Sequence, residues 1–263
     1  MGLRVIQWNV YGASDPDGIA DFLTKRIGHG STIVCLQDIK RASYKMLVGL
    51  LKPASSRFSL ELREPSGNEG AERTTGIAMF GFGLPVVSLE LLDRTLYPER
   101  TFSVLFGGAF GPIRVVAFDS LAGIYYPLAK NSNYASVADY LELHTLVLDF
   151  LCFDTYEPRQ DGSGLQLHKK KAKGSALILG PQKVHDLSNS YAEYLRSRGE
   201  PVTESPHTES FALWLSGKKH AEEHYDYIMH SPRWHVTSCE YPCNESIKAT
   251  SDHSAVIADF ELE

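Results

Sequence analysis

Four short motifs along the chain place an amide, a carboxylate or an imidazole near the end of a β-like run. They are Gln7-Trp8-Asn9-Val10, Ile33-Val-Cys-Leu-Gln-Asp38, His224-Tyr-Asp226-Tyr-Ile-Met-His-Ser-Pro232 and Ser251-Asp252-His253-Ser-Ala-Val256. Side chains of these types bind hard cations, orient water and exchange protons near neutral pH. Asn and Asp are also common turn formers, so Asn9 and Asp38 could simply cap the ends of strands.

These motifs need secondary-structure elements that bring them together. Short runs of β type recur at residues 5–10, 32–36, 76–80, 101–106, 113–118, 176–179, 211–215, 225–229, 235–238 and 255–260. Apolar residues at helical spacing predict helices over residues 15–27, 40–51, 133–152 and 186–198. The segment 158–174, rich in Gly, Lys and Gln, is expected to be a mobile loop.

Many short strands mixed with a few helices, without βαβ regularity, predict an α/β (α+β) fold. We expect two stacked, mostly antiparallel sheets with helices on their outer faces, which is a four-layer α/β/β/α sandwich. One domain over residues 1–263 is expected. Because such a sandwich collects loops at one edge, the polar residues that end strands should converge there.

Composition and charge exclude several classes of protein. The chain has 263 residues, of which 43% are hydrophobic and 22% charged, as in ordinary globular proteins. Its net charge of −6 argues against a non-specific nucleic-acid coat protein, although a locally positive cleft remains open. No apolar run reaches the roughly 20 residues of a membrane span, and no signal-peptide pattern is present. We therefore expect a cytoplasmic protein without membrane contact.

Other reactive residue types have simpler explanations. Cys239 and Cys243 are four residues apart, but a structural zinc ion normally needs four ligands. Cys35 and Cys152 lie in apolar runs, as buried thiols do. The basic run at residues 169–171 is either a solvated loop, the usual case, or a loop that contacts phosphate.

Together, the four motifs resemble the endonuclease/exonuclease/phosphatase superfamily, which includes deoxyribonuclease I and exodeoxyribonuclease III. The first resembles the opening strand of that family with its active-site Asn, and the second resembles the strand that ends in Gln-Glu. The third is similar to the family's Ile-Asp-Tyr-Ile strand, and the fourth to its Ser-Asp-His-x-x-Val signature. The resemblance implies a deoxyribonuclease I-like fold.

The resemblance also implies metal-assisted hydrolysis of a phosphoester, with Mg²⁺ or Mn²⁺ as the cofactor. Carried over residue by residue, Asp38 would hold the metal, and Asp252 would share that task and form an orienting pair with His253. Asn9 would position a carboxylate or phosphate, and Asp226 would support a catalytic His. His253 would stabilise charge on the phosphoryl oxygens.

The sequence also departs from the family pattern. Residues 176–180 resemble the strand that runs into Gly-Asp-x-Asn, yet Pro181, Gln182 and Lys183 follow. Pro cannot orient water, so the usual base is expected to be missing unless Asp119, His185 or Asp186 replaces it. At the family's mid-chain His or Tyr the sequence has Asp119. Lys183 could bind phosphate together with Asn9 and His253.

Three hypotheses follow for the function. The first is a protein that binds a phosphoester with weak or lost hydrolysis and little need for metal. The second is an active metal-dependent phosphodiesterase or nuclease with a rebuilt base, and the third is a non-catalytic interaction scaffold, since fold does not imply function. The expected partner is a phosphorylated small molecule or nucleic acid.

Overall fold

Two stacked β-sheets form the centre of the computed structural model. The structure describes residues 2–10, 15–28, 30–62, 75–92, 98–119, 148–154, 185–202, 226–249, 251 and 253–263. The described strands of the first sheet are, in spatial order, β11 (Trp234–Glu240), β12 (Val256–Leu262), β1 (Gly2–Asn9), β2 (Ser31–Lys40), β4 (Thr75–Phe82) and β3 (Ser55–Phe58). Those of the second are β5 (Val86–Leu91), β6 (Thr101–Phe106), β7 (Ile113–Asp119), β8 (Phe150–Asp154), β10 (Asp226–His230) and β9 (Ser188–Asn189).

Neighbouring strands are antiparallel with one parallel pair in each sheet, β1–β2 and β7–β8, among the described residues. This arrangement confirms the predicted α/β sandwich of mostly antiparallel sheets. Because β1 and β2 run the same way, both end at the same edge of the first sheet. The motifs around Asn9 and Asp38 are thereby brought side by side, as the sequence predicts.

Four helices flank the sheets in the described part of the chain: α1 (Pro16–Arg26), α2 (Arg41–Leu51), α3 (Ser190–Ser197) and α4 (Cys243–Lys248). Helix α1 begins as its sequence favours, because the Asp15 carboxylate accepts from the Gly18 backbone N–H at 3.0 Å and Pro16 fills the first turn. Asn189 caps α3 in the same way, accepting from the Ala192 N–H at 3.1 Å. None of the described helices is both long and apolar enough to cross a bilayer.

The apolar side chains separate into three packed groups. Between the sheets, alternate strand residues such as Val5, Cys35 and Ala117 form one fully buried core. On the outer face of the first sheet, Trp8 and Phe80 pack in a second core that includes residues of α1 and α2. A third group lies on the other face of the second sheet. Because successive side chains of a strand point to opposite faces, every second side chain lies in the space between the sheets.

The structure corrects two predicted elements. The helix expected over 186–198 begins at Ser190, because residues 188–189 form strand β9. Residues 150–152 form part of strand β8, whereas the sequence pattern places them at the end of a helix over 133–152. Tertiary pairing decides this, since β8 bonds to β7 on one side and to β10 on the other. Residues 133–147, the expected loop at 158–174 and the expected strands at 176–179 and 211–215 lie outside the described residues.

A contact between the buried His230 and the partly exposed Glu193 connects α3 to the second sheet. The His230 Nε2 atom lies 3.4 Å from the Glu193 carboxylate, and Ser190 Oγ contacts His230 Nδ1 at 3.0 Å. The hydrogen bond from His230 is the main cause that holds the pKa of Glu193 below its ordinary value near 4.5.

This pairing predicts an acid-sensitive contribution to stability. A depressed carboxyl pKa stabilises the fold above the unfolded-state value, and the contribution disappears as pH falls through the folded-state pKa. Glu193→Gln should therefore flatten the fall of the melting temperature between about pH 5 and pH 3. Glu200→Gln, at an exposed site just beyond α3, is the control and should leave the fall unchanged. Equal acid sensitivity in all three proteins would contradict the prediction.

Candidate active site

The core between the sheets changes from apolar to polar at one edge. The strand rows that supply the apolar core continue into five buried polar residues, which we call the polar edge: Gln7, Asn9, Gln37, Asp119 and Asp226. Each is at most 7% exposed. Burying so many polar groups is costly unless they are hydrogen-bonded, so this edge is the candidate functional site.

The C-terminal Ser-Asp-His motif is tied to the end of β1. Ser251 Oγ donates to the Asn9 carbonyl at 2.5 Å and accepts from the His253 backbone N–H at 3.1 Å. The Trp8 indole N–H donates to the His253 carbonyl at 2.9 Å. These bonds fix the backbone of His253 against the polar edge.

The imidazole of His253 pairs with Asp226. Its Nδ1 atom lies 2.8 Å from Asp226 Oδ2, and the His253 side chain is 19% exposed. Since an ionised carboxylate only accepts hydrogen bonds, Nδ1 carries the proton of this contact. The opposite ring nitrogen, Nε2, therefore points away from Asp226. When it also carries a proton on Nε2, an imidazole oriented in this way can donate a hydrogen bond to an anion on that side.

Asp38 reaches the polar edge because strand β2 contains a β-bulge. Gln37 and Asp38 together oppose the single residue Ile77, and Asp38 adopts a left-handed backbone conformation with φ of 54°. Asp tolerates this conformation better than most residues do. The bulge interrupts normal alternation, so two successive side chains can serve one site. Asp38 Oδ1 accepts from Thr75 Oγ1 at 2.6 Å.

Arg100 is the buried cation of this region, and sequence reasoning missed it. Its guanidinium forms an ion pair with Asp119 and lies 3.9 Å from Asp38 Oδ1. It also donates to Thr75 Oγ1 at 3.3 Å. The sequence did contain a signal for this cation. The charged residues Glu99 and Arg100 directly precede the buried strand β6, where charged side chains are unusual.

The electrostatics of Asp119 connect the two halves of the site. Burial raises the pKa of Asp119, and the Arg100 charge opposes that rise. The negative charge of Asp38 raises the pKa of Asp119 further, while the positive charge of His253 lowers it. Asp38, Asp119 and His253 therefore belong to one charged cluster.

Strand β8 also ends at this edge. Its last residue, Asp154, stands in register with Asp119 on β7 and with Asp226 on β10. Three aspartates thus occupy corresponding positions on three adjacent strands. The signal was present in the sequence, since β8 and β7 are both short apolar runs that end in Phe-Asp.

The structure brings five of the predicted site residues to the same edge. These are Asn9, Asp38, Asp119, Asp226 and His253. Asp252 and Lys183 lie outside the described residues. His185 and Asp186, considered as replacement bases, precede β9, whose pairing places them beyond the His230 end of β10. That end is roughly 13 Å from Asp226 along the strand, so neither residue belongs to the polar edge.

The donors at this edge suit a sparsely coordinated Mg²⁺. Within the described ranges, no group of three or more His, Cys, Asp and Glu side chains converges as a metal cage. Mg²⁺ usually binds proteins through one or two carboxylates and keeps several waters. The Asp38 carboxylate, 24% exposed and supported by Thr75, fits that mode. Arg100 nearby supplies positive charge that would compete with the ion.

Comparisons with solved structures identify the fold. The structure of the human Nocturnin catalytic domain with bound sulfate anion matches with a TM-score of 0.64 and 16% identity, covering 100% of this chain and 95% of that one. An endonuclease/exonuclease/phosphatase from Beutenbergia cavernae matches with a TM-score of 0.65 and 15% identity, covering 99% of this chain and 72% of that one. Truncated TDP2 from Caenorhabditis elegans matches with a TM-score of 0.62 and 12% identity, covering 99% of this chain and 98% of that one.

No family model matches the sequence, and no curated protein matches it. Identities of this size establish the shared fold alone. The chain therefore has the deoxyribonuclease I-like sandwich of these proteins, and its chemistry has to be argued from its own residues.

Proposed function

We propose that this chain is a metal-assisted phosphoester hydrolase of the endonuclease/exonuclease/phosphatase superfamily. The observation that carries the proposal is the register of Asp119, Asp154 and Asp226 on three adjacent strands at the edge where His253 lies. The substrate is a phosphorylated small molecule or a nucleic acid.

Asp154 is the carboxylate that orients or deprotonates the attacking water. The family pattern needs a strand that runs into Gly-Asp-x-Asn, and β8 ends in Phe153-Asp154 followed by Thr155 and Tyr156. In this alignment the Asp is retained, whereas Tyr156 stands in place of the Asn. The expectation of a missing base depended on aligning residues 176–180 instead. Replacing that alignment with β8 removes the main argument for lost hydrolysis.

His253 and Asp226 supply the charge stabilisation. In the doubly protonated ring, Asp226 accepts from Nδ1–H, and the opposite N–H, on Nε2, donates to the phosphoryl oxygen. A donor placed where negative charge develops acts mainly on the transition state. When bound, the metal ion would neutralise the phosphate and the leaving oxygen, and Asp38, Asn9 and Asp252 are the residues proposed to hold it.

The decisive experiment measures hydrolysis of an activated phosphodiester, bis(p-nitrophenyl) phosphate. We expect turnover in Mg²⁺ or Mn²⁺ that EDTA abolishes and that His253→Gln lowers by about 10²–10³-fold. His235→Gln, at an exposed His on β11, is the matched control and should retain full activity. Turnover that survives EDTA, or that both variants retain, would contradict the proposal.

A second candidate, phosphoester binding without hydrolysis, is favoured by Arg100. Its buried charge offsets Asp119 and lies 3.9 Å from Asp38, so without a metal ion an incoming anion meets less negative charge at this edge. The discriminating measurement is thermal stabilisation by inorganic phosphate and nucleotides in EDTA. Stabilisation without any metal-dependent turnover would support this candidate over the hydrolase.

A further inference from the structure

A chain of buried amides crosses the space between the sheets beneath the candidate site. Gln37 Nε2 donates to the Cys152 carbonyl on β8 at 3.4 Å, and Gln37 Oε1 accepts from Gln7 Nε2 at 2.6 Å. Gln7 Nε2 also donates to Asp226 Oδ1 at 2.9 Å. Gln7 and Gln37 are fully buried and Asp226 is 6% exposed. These hydrogen-bonded amides therefore join β8, β2 and β1 to the Asp226 carboxylate, which holds His253.

The carboxylate determines how both amides are oriented. Asp226 only accepts, so Gln7 must present its NH₂ group to it. The second hydrogen of that NH₂ group points at Gln37, which must then present its oxygen and donate to Cys152. The Gln7 Oε1 atom has no partner among the described residues. A buried carbonyl without a partner is unfavourable, so the Gln7 side chain is not explained by stability alone.

We infer that Gln7 is a positioning residue that fixes the rotation of the Asp226 carboxylate and, through it, the tautomer of His253. With Oδ1 engaged by Gln7, Oδ2 is the oxygen that remains for His253 Nδ1. Carboxylate torsions are broad and roughly two-fold, so without this donor Asp226 can turn away from the imidazole. The inference deepens the proposed function and rests on it for its effect on rate.

The tautomer is measurable without any substrate. In protein with ¹⁵N-labelled histidine, the two ring-nitrogen shifts of neutral His253 report which nitrogen carries the proton, and His253→Gln assigns the signals. We expect the Nδ1–H form in the wild type and a mixture with the Nε2–H form in Gln7→Met. For the phosphodiester, Gln7→Met should lower kcat by about 10–100-fold, with KM changed by less than about 2-fold.

Two further variants separate positioning from folding. Gln7→Asn keeps a buried amide but is one methylene shorter, about 1.5 Å less reach, so it should show the same mixed tautomer. Thr32→Val removes another buried polar atom that has no partner among the described residues. Thr32 lies far from His253 on β2, so this variant should change neither tautomer nor kcat. If Gln7→Met does not fold, Gln7→Asn alone decides the question.

A wild-type-like Nδ1–H form in Gln7→Met or Gln7→Asn would overturn the inference, whatever the activity. Absence of turnover in the wild type would instead contradict the proposed function, while the tautomer would still decide the role of Gln7.

Discussion

Asp154→Asn is expected to lower kcat for phosphodiester hydrolysis by about 10²–10⁴-fold, the usual contribution of a positioned acid–base group. The amide has nearly the size of the carboxylate but cannot accept a proton from water. KM and the affinity for Mn²⁺ should change little, because the proposed role concerns the attacking water and not the phosphate. Steady-state kinetics with Mn²⁺ titrated in each protein measures all three quantities.

Two matched variants show which residue supplies the base. Asp186→Asn changes an exposed carboxylate beyond the far end of β10, and it should retain activity within about 2-fold, as surface changes away from a site usually do. Lys183→Gln changes the residue that the alternative alignment of 176–180 places in the site, and it should also retain activity, because the alignment with β8 gives Lys183 no role. Full activity in Asp154→Asn, or a large loss in Asp186→Asn, would refute the assignment of Asp154.

Strand β8 shows why the proposed base, Asp154, was hard to find from the sequence. Leu148 and Leu151 continue the helical spacing of the preceding residues, but residues 150–153 are uniformly apolar. A short continuous apolar run fits a buried strand as well as a helix end, and periodicity alone does not distinguish them. Pairing with β7 and β10 decides the outcome, and those partners are distant in sequence.

The parts of the site that could be predicted are those carried by local motifs. Asn9, Asp38, Asp226 and His253 each follow or lie within a short recognisable pattern, and the sandwich brings their strand ends to one edge. The remaining contacts join residues far apart along the chain: 219 positions separate Gln7 from Asp226. No local pattern encodes such a pair, because either residue alone resembles an ordinary strand residue.

Two edge strands, β3 and β5, were missed for a different physical reason. β3 is largely polar and only half-buried, and β5 alternates imperfectly because it lies at the border of the second sheet. Strands in such positions have one unpaired side and fewer apolar neighbours, so their sequences carry weaker β signals. The central strands β1, β2, β6 and β7 are buried on both faces and were predicted for that reason.

Arg100→Met is expected to lower the free energy of unfolding by about 3–5 kcal/mol, because it leaves the buried Asp119 carboxylate without its cation. Burial already raises the pKa of Asp119, and losing Arg100 should raise it further. A carboxyl group with a raised folded-state pKa destabilises the fold progressively as pH rises from its unfolded-state pKa to its folded-state pKa, and the full cost remains at higher pH. The loss of unfolding free energy in Arg100→Met should therefore be larger at pH 8 than at pH 5, as measured by urea unfolding.

The double variant Arg100→Met/Asp119→Asn tests whether the uncompensated charge causes this loss. It removes both charges, so it should be more stable than Arg100→Met alone and lose the pH dependence. Arg198→Met, which breaks an exposed pair with Glu200, should leave stability nearly unchanged. If the double variant were no more stable than the single one, Arg100 would act through its packing and its bond to Thr75.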